Sequence, residues 1–144
     1  MMVAQPEMSR SMAVAGGGTM GVGIAYVFAV AGWNVTVVEP DEARVRDMRR
    51  TLEGAAAGGL KRGKLTEQQA RQATEGIGRV GDAGELPEGL DLVIESVPER
   101  LPLKRQVLAA IAARRPALIA SNTSSLSIDE LARAVKDSSR FLGM

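Results

Sequence analysis

From Met12 to Glu39 the chain reads MAVAGGGTMGVGIAYVFAVAGWNVTVVE. A short apolar run, Met12 to Ala15, leads into Gly16, Gly18 and Gly21, which fit the pattern G-x-G-x-x-G. An apolar segment, Val22 to Ala31, follows and is long enough for about three helical turns. Gly32 fits a helix C-cap. Asn34 to Val38 reads as a second strand, with Glu39 at its end. Gly16 lets the chain turn sharply out of the first strand, Gly18 leaves room for a pyrophosphate at the backbone, and Gly21 lets the helix pack closely on the strands. The free N–H groups and positive dipole end of the helix then face the phosphates. A carboxylate roughly 20 residues past the glycines can accept hydrogen bonds from both hydroxyls of an adenosine ribose and would repel a 2′-phosphate, so the stretch predicts NAD rather than NADP. A glycine triplet alone is a weak signal in a chain with 16 glycines. The strand before it, the helix after it and the acid at the right distance set it apart from a flexible loop.

Downstream, Pro40 ends the second strand and Asp41 is a good N-cap for a helix of about 20 residues. Val45, Met48, Leu52 and Ala55 form its apolar stripe, Arg44, Asp47 and Arg50 its opposite face, and Gly58-Gly59 is expected to loosen its end. Thr66 to Gln69 fits a capping box, T-x-x-Q, opening a second helix to about Glu75. This helical pair is longer than a minimal βαβ connection needs, so it reads either as a substrate-facing arm or as a decorated crossover without a ligand. Lys61, Arg62 and Lys64 cluster between the two helices and could meet phosphates or simply be solvated. Ile77 to Val80 reads as a third strand and Leu90 to Ser96 as a fourth, buried on both faces. Glu95, Ser96 and Glu99 fall at the carboxyl end of that fourth strand, where open α/β sheets bind ligands. A helix from Leu101 to Ala113 follows, with Lys104 in its first turns. Ala117 to Ser121 forms a fifth strand, and the polar cluster SNTSS at its end is an ordinary turn or a contact for nicotinamide or substrate. Ser127 to Glu130 opens a helix to about Val135, and RFLGM starts a sixth strand. The alternation predicts an α/β fold of Rossmann type: a doubly wound, mostly parallel sheet, helices on both faces and a helical-pair insertion after the second strand. Met1 to Ser11 is polar, contains Pro6 and is expected to be a disordered tail, leaving residues 12–144 as one domain.

Composition narrows the function. Lys and Arg number 18 against 17 Asp and Glu, and aromatics make up 3%. Neither a nucleic-acid partner nor an anionic membrane is expected from that balance. Cysteine is absent, which excludes disulfides and thiolate metal sites and leaves no metal site expected. The N-terminus has no signal-peptide core, so the expected location is cytoplasmic. Histidine is also absent, although proton transfer coupled to hydride transfer most often uses one.

The stretches GGGTMGVGIA, DLVIESVPERLPLK, SNTSSLSI and RFLGM together resemble the NAD-binding domain of L-3-hydroxyacyl-CoA dehydrogenases, including the 3-hydroxybutyryl-CoA enzymes. These enzymes use NAD to oxidise the 3-hydroxyl of an acyl-CoA to a ketone in fatty acid metabolism. The resemblance implies that Gly16, Gly18 and Gly21, with Thr19 and Met20, hold the pyrophosphate. Glu39, commonly an aspartate in the family, would hold the adenosine ribose. Glu99 and Lys104 would lie by the nicotinamide-side ribose, and Asn122 would help seat the nicotinamide end. Ser124 would hydrogen-bond the substrate's 3-oxygen. The helical pair would face CoA, bringing in Lys61 and Arg62. The family continues past the glycine of the last strand into HFFNP, whose histidine is the general base, and then into a helical domain that completes the site and the homodimer. The sequence therefore reads as the cofactor half of such an enzyme, expected to bind NAD(H) with little or no turnover alone. Alternatives are a dehydrogenase of a non-CoA hydroxy acid or sugar acid, and a non-catalytic NAD(H)-binding module.

Overall fold

The computed structural model describes residues 9–144. Six strands, β1 (Ser11–Ala15), β2 (Asn34–Val38), β3 (Ile77–Val80), β4 (Leu92–Glu95), β5 (Ile119–Ser121) and β6 (Phe141–Gly143), form one sheet in the order β3-β2-β1-β4-β5-β6. Every neighbouring pair is parallel. Helices α1 (Thr19–Val30), α2 (Glu42–Lys61), α3 (Glu67–Thr74), α4 (Leu101–Ala113) and α5 (Ile128–Ala132) make the crossovers.

Alternation along β1 builds two cores. Met12 and Val14 face one side, where they meet Val22, Ala25 and Ala29 of α1 and Met48 and Leu52 of α2. Ala13 and Ala15 face the other, with Leu108 and Ile111 of α4 and Leu131 near the end of α5. Burial on both faces explains why β1 and β4 read as continuous apolar runs rather than alternating ones. The helical pair after β2 adds a small third cluster in which Ala56, Ala70 and Ala73 pack against Tyr26, Val30 and Leu65. On the α1 side of β4, β5 and β6 the sheet stays partly open. An apolar trough of about 510 Å³ lies there, bordered by Val27, Leu118, Leu142 and Met144.

Several boundaries differ from the sequence expectation. Ser11, assigned to the tail, opens β1: its N–H donates to the Asp91 carboxylate at 2.8 Å and it pairs with Asn34. Asp91, 80 positions away, is what orders it. Arg10, also assigned to the tail, is held too, its carbonyl accepting from the Asn34 N–H at 2.9 Å; residues 1–8 of the expected tail lie outside the described residues. Helix α1 starts at Thr19 rather than Val22, because Gly18 already serves as its N-cap. The 58–59 glycine pair does not loosen α2, which runs on to Lys61. Gly59 is buried, and a Cβ there would lie 2.6 Å from the Leu65 side chain, so it lets the returning chain close against the helix. β4 and β5 are shorter than read, since Leu90 and Ala117 are joined by one hydrogen bond outside either strand. α5 ends at Ala132, three residues before Val135.

Candidate functional site

The strand order reverses direction between β1 and β4, and the carboxyl ends of those strands open a crevice there. A cleft of about 920 Å³ occupies it. One wall is the glycine turn. Gly16 has φ +117°, a conformation side chains disfavour, and a Cβ there would meet the Ser96 carbonyl oxygen at 2.4 Å. A Cβ on Gly21 would lie 1.9 Å from the Gly16 carbonyl oxygen, so this glycine's close approach is to the turn itself. Gly18 has open space where its Cβ would be. No side chain caps α1. Among the described residues the backbone N–H groups of Thr19, Met20 and Gly21 have no protein acceptor, so the helix start is a ready anion seat.

Glu39 lies on the cleft wall beyond β2 and is 4% exposed. Its two carboxylate oxygens accept from the backbone N–H of Gly17 at 3.1 Å and of Asp41 at 3.0 Å. An ionised carboxylate offers about four lone-pair directions, so acceptor capacity remains toward the cleft. Arg44, read from sequence only as part of the polar face of α2, also borders the cleft.

The opposite wall gathers Glu99, Asn122 and Ser124 from two separate connections. The Ser124 hydroxyl has no intramolecular partner among the described residues. Asn122 donates its side-chain N–H to Ser96 Oγ at 3.2 Å, leaving its amide oxygen free. Glu99 Oε2 accepts from the hydroxyls of Thr123 at 2.8 Å and Ser125 at 2.7 Å, and Oε1 pairs with Lys104 at 2.9 Å. The Ser125 hydroxyl, followed by Lys104 and Thr123, brings the Glu99 carboxyl down from 4.5 to about 2 against an opposing desolvation.

Lys104 does not border the cleft. It is fully buried, and its ammonium donates to Glu95 Oε2 at 2.7 Å, to Glu99 and to the Asn122 carbonyl at 3.2 Å, which commits all three N–H bonds. Lys61 and Arg62 close α2 on the exposed far end of the helical pair, and neither borders the cleft. Sequence reasoning passed over the individual roles of Thr123 and Ser125 and the centrality of Glu95. The signal for Glu95 was an acid closing an apolar strand, nine residues before the single lysine of the next helix.

Residues 11–144 match the family model described as 3-hydroxyacyl-CoA dehydrogenase, NAD binding domain. A 3-hydroxybutyryl-CoA dehydrogenase of Bradyrhizobium diazoefficiens is 33% identical over 137 residues, which are 94% of this chain and 46% of that protein. The fatty acid oxidation complex subunit alpha of Pseudomonas savastanoi is 34% identical over 94% of this chain and 19% of its own length. The crystal structure of (S)-3-hydroxybutyryl-CoA dehydrogenase from Ralstonia eutropha superposes with a TM-score of 0.84 at 36% identity, over 95% of this chain and 49% of that one. The chain thus spans about half the length of these two 3-hydroxybutyryl-CoA dehydrogenases. A match running from the first residue of β1 to Met144, together with the cleft at the strand reversal, makes this chain a member of the 3-hydroxyacyl-CoA dehydrogenase family, in its NAD-binding domain, with NAD as the cofactor.

Proposed function

We propose that this chain is the cofactor-holding half of an NAD-dependent 3-hydroxyacyl-CoA dehydrogenase. The observation that carries the reading is the meeting, across one cleft, of an uncapped helix start behind a glycine turn and a separate polar wall of Glu99, Asn122 and Ser124. The glycine turn and the first N–H groups of α1 would hold the pyrophosphate, and Glu39 would hold the adenosine ribose with its remaining lone pairs. Glu99 would face the second ribose, with Lys104 acting through it. Asn122 would fix the nicotinamide end. Ser124, whose hydroxyl is uncommitted, would donate to the substrate's 3-oxygen, orienting it and stabilising charge as the bond to oxygen changes. Bound NAD supplies the hydride acceptor.

The acid/base group is not among these residues. The 144 residues contain no histidine, and such a base typically contributes about 10²–10⁴-fold. The chain by itself is therefore proposed to bind NAD(H) with little or no turnover. The apolar trough beside α1 and the half-length span of the match both support a larger enzyme around this domain. An acyl-CoA substrate, contacts from Lys61 and Arg62 to CoA and a homodimeric parent follow from the family resemblance. A non-CoA substrate is the second reading. A structure described as a diketoreductase acting on dicarbonyl compounds superposes with a TM-score of 0.83 at 30% identity, close to the CoA enzymes.

The test is a titration of the purified chain with NADH and NADPH, followed by nicotinamide fluorescence, with acetoacetyl-CoA added afterwards. Saturable NADH binding, weaker NADPH binding and no NADH consumption are expected. Absence of NADH binding by a cooperatively folded chain would refute the cofactor reading, and rapid consumption would refute the claim about turnover.

A further inference from the structure

We infer that Glu95, which does not border the cleft, is the positioning residue for the nicotinamide end of the site. Its carboxylate is fully buried at the end of β4. Oε1 accepts from the Ser121 hydroxyl at 2.6 Å; Oε2 accepts from Lys104 at 2.7 Å and from the Val97 N–H at 2.8 Å. That one group therefore ties the end of β5 and the β4–α4 turn to the first turns of α4. Lys104 passes the constraint on, because its other two N–H bonds go to the Asn122 carbonyl and to Glu99. Glu99 then holds the hydroxyls of Thr123 and Ser125, the two neighbours of Ser124. Asn122, Ser124 and Glu99 thus depend for their relative placement on one buried ion pair.

Stability alone does not account for that pair. Desolvating two charges roughly offsets their attraction, and apolar residues of similar volume often hold a fold as well. What apolar residues cannot supply is a set of directional bonds that fixes the connection after β4 against the connection after β5. The inference rests on the cleft being the NAD site, and the test separates the two claims by using cofactor fragments. ADP carries the pyrophosphate and adenosine ribose, which fall to the glycine turn and Glu39. NADH adds the second ribose and the nicotinamide.

The experiment compares ADP and NADH dissociation constants for the wild-type chain, Glu95→Gln and the double variant Glu95→Met/Lys104→Met, each checked for a cooperative melt. The double variant removes both charges together, leaves no unpaired buried ion, and carries the test if Glu95→Gln fails to fold. The expected result is ADP affinity within about twofold of wild type and NADH affinity about tenfold weaker, the scale of one misplaced charge-assisted hydrogen bond. Unchanged NADH affinity in a folded variant would overturn the inference, as would equal losses for ADP and NADH. A folded wild-type chain that binds neither ligand would overturn the cleft assignment and this inference with it.

Discussion

Two alanine substitutions three residues apart in the glycine turn should separate folding from binding. At Gly21 the added methyl would sit 1.9 Å from the Gly16 carbonyl oxygen, a backbone atom that no rotamer change can move. Real Cβ contacts essentially stop at 3.0 Å, so α1 and the turn must part by about 1 Å. Helix α1 carries Val22, Ala25 and Ala29 into the core, so that separation opens the packing beneath it. Overpacking of this kind costs about 1–3 kcal/mol, or a melting temperature lower by roughly 3–9 °C for a domain of this size. At Gly18 the backbone is extended, with φ −76° and ψ −175°, which alanine adopts freely, and nothing lies within 4 Å. Gly18→Ala should therefore melt at the wild-type temperature or slightly above it, through the roughly 0.4–1 kcal/mol by which alanine restricts the unfolded chain. On the proposed seating of the pyrophosphate, its methyl would nevertheless stand between the phosphates and the helix start. Losing one charged hydrogen bond of about 1.5–3 kcal/mol weakens NADH by roughly 10- to 100-fold. Gly23→Ala is the control: Gly23 lies inside α1 with open space around its Cβ position, so it should gain about 1 kcal/mol and bind NADH normally. Thermal melts and nicotinamide fluorescence titrations on the three variants decide it. A Gly18→Ala chain that keeps both its melting temperature and wild-type NADH affinity would refute the phosphate assignment.

Other expectations are as direct. Glu39→Ala should narrow the gap between NADH and NADPH affinities, because on the proposed reading it removes the carboxylate that would face a 2′-phosphate; paired titrations that leave the ratio unchanged would count against Glu39 as the discriminating group. The Glu99 carboxyl is brought down to about 2, chiefly by the Ser125 hydroxyl, while an unfolded glutamate titrates near 4.5. A depressed folded value means that Glu99 contributes stability at pH values above about 4.5, and that the contribution fades as pH falls toward 2. The melting-temperature gap between wild type and Glu99→Gln should therefore be flat from pH 5 to 8 and close below 4.5, and a gap that widened with acid would contradict the sign. Thr66→Ala removes the acceptor for the Gln69 N–H at 3.1 Å in a complete capping box. It should cost about 1 kcal/mol, read as a melt roughly 3 °C lower, without changing NADH affinity, since α3 does not border the cleft.

The parts of this molecule legible in its sequence are those whose physics is local. β2 and β3 keep the bounds read from the sequence, α2 begins after Asp41 because its side chain caps the N–H groups of Ala43 and Arg44, and the capping box of α3 closes within four residues. The glycine turn is legible for the same reason, since Gly16 and Gly21 touch each other across five positions. Ser11 was misread because its partner, Asp91, lies on the far side of the chain, and the 58–59 pair because Leu65 returns against Gly59 only after α2 has ended.

The site divides along the same line. The proposed pyrophosphate end is one continuous stretch and could be read as a motif. The proposed nicotinamide end is assembled from β4, α4 and the loop after β5, whose polar groups Glu95, Lys104 and Glu99 join. No spacing announces that Glu95 faces Ser121 across 26 residues. The charge in the apolar strand was visible, and its partner was not. A buried, fully bonded acid in a parallel strand is thus the sequence feature most worth following to its partners, because burying it is difficult to explain unless it holds something in place.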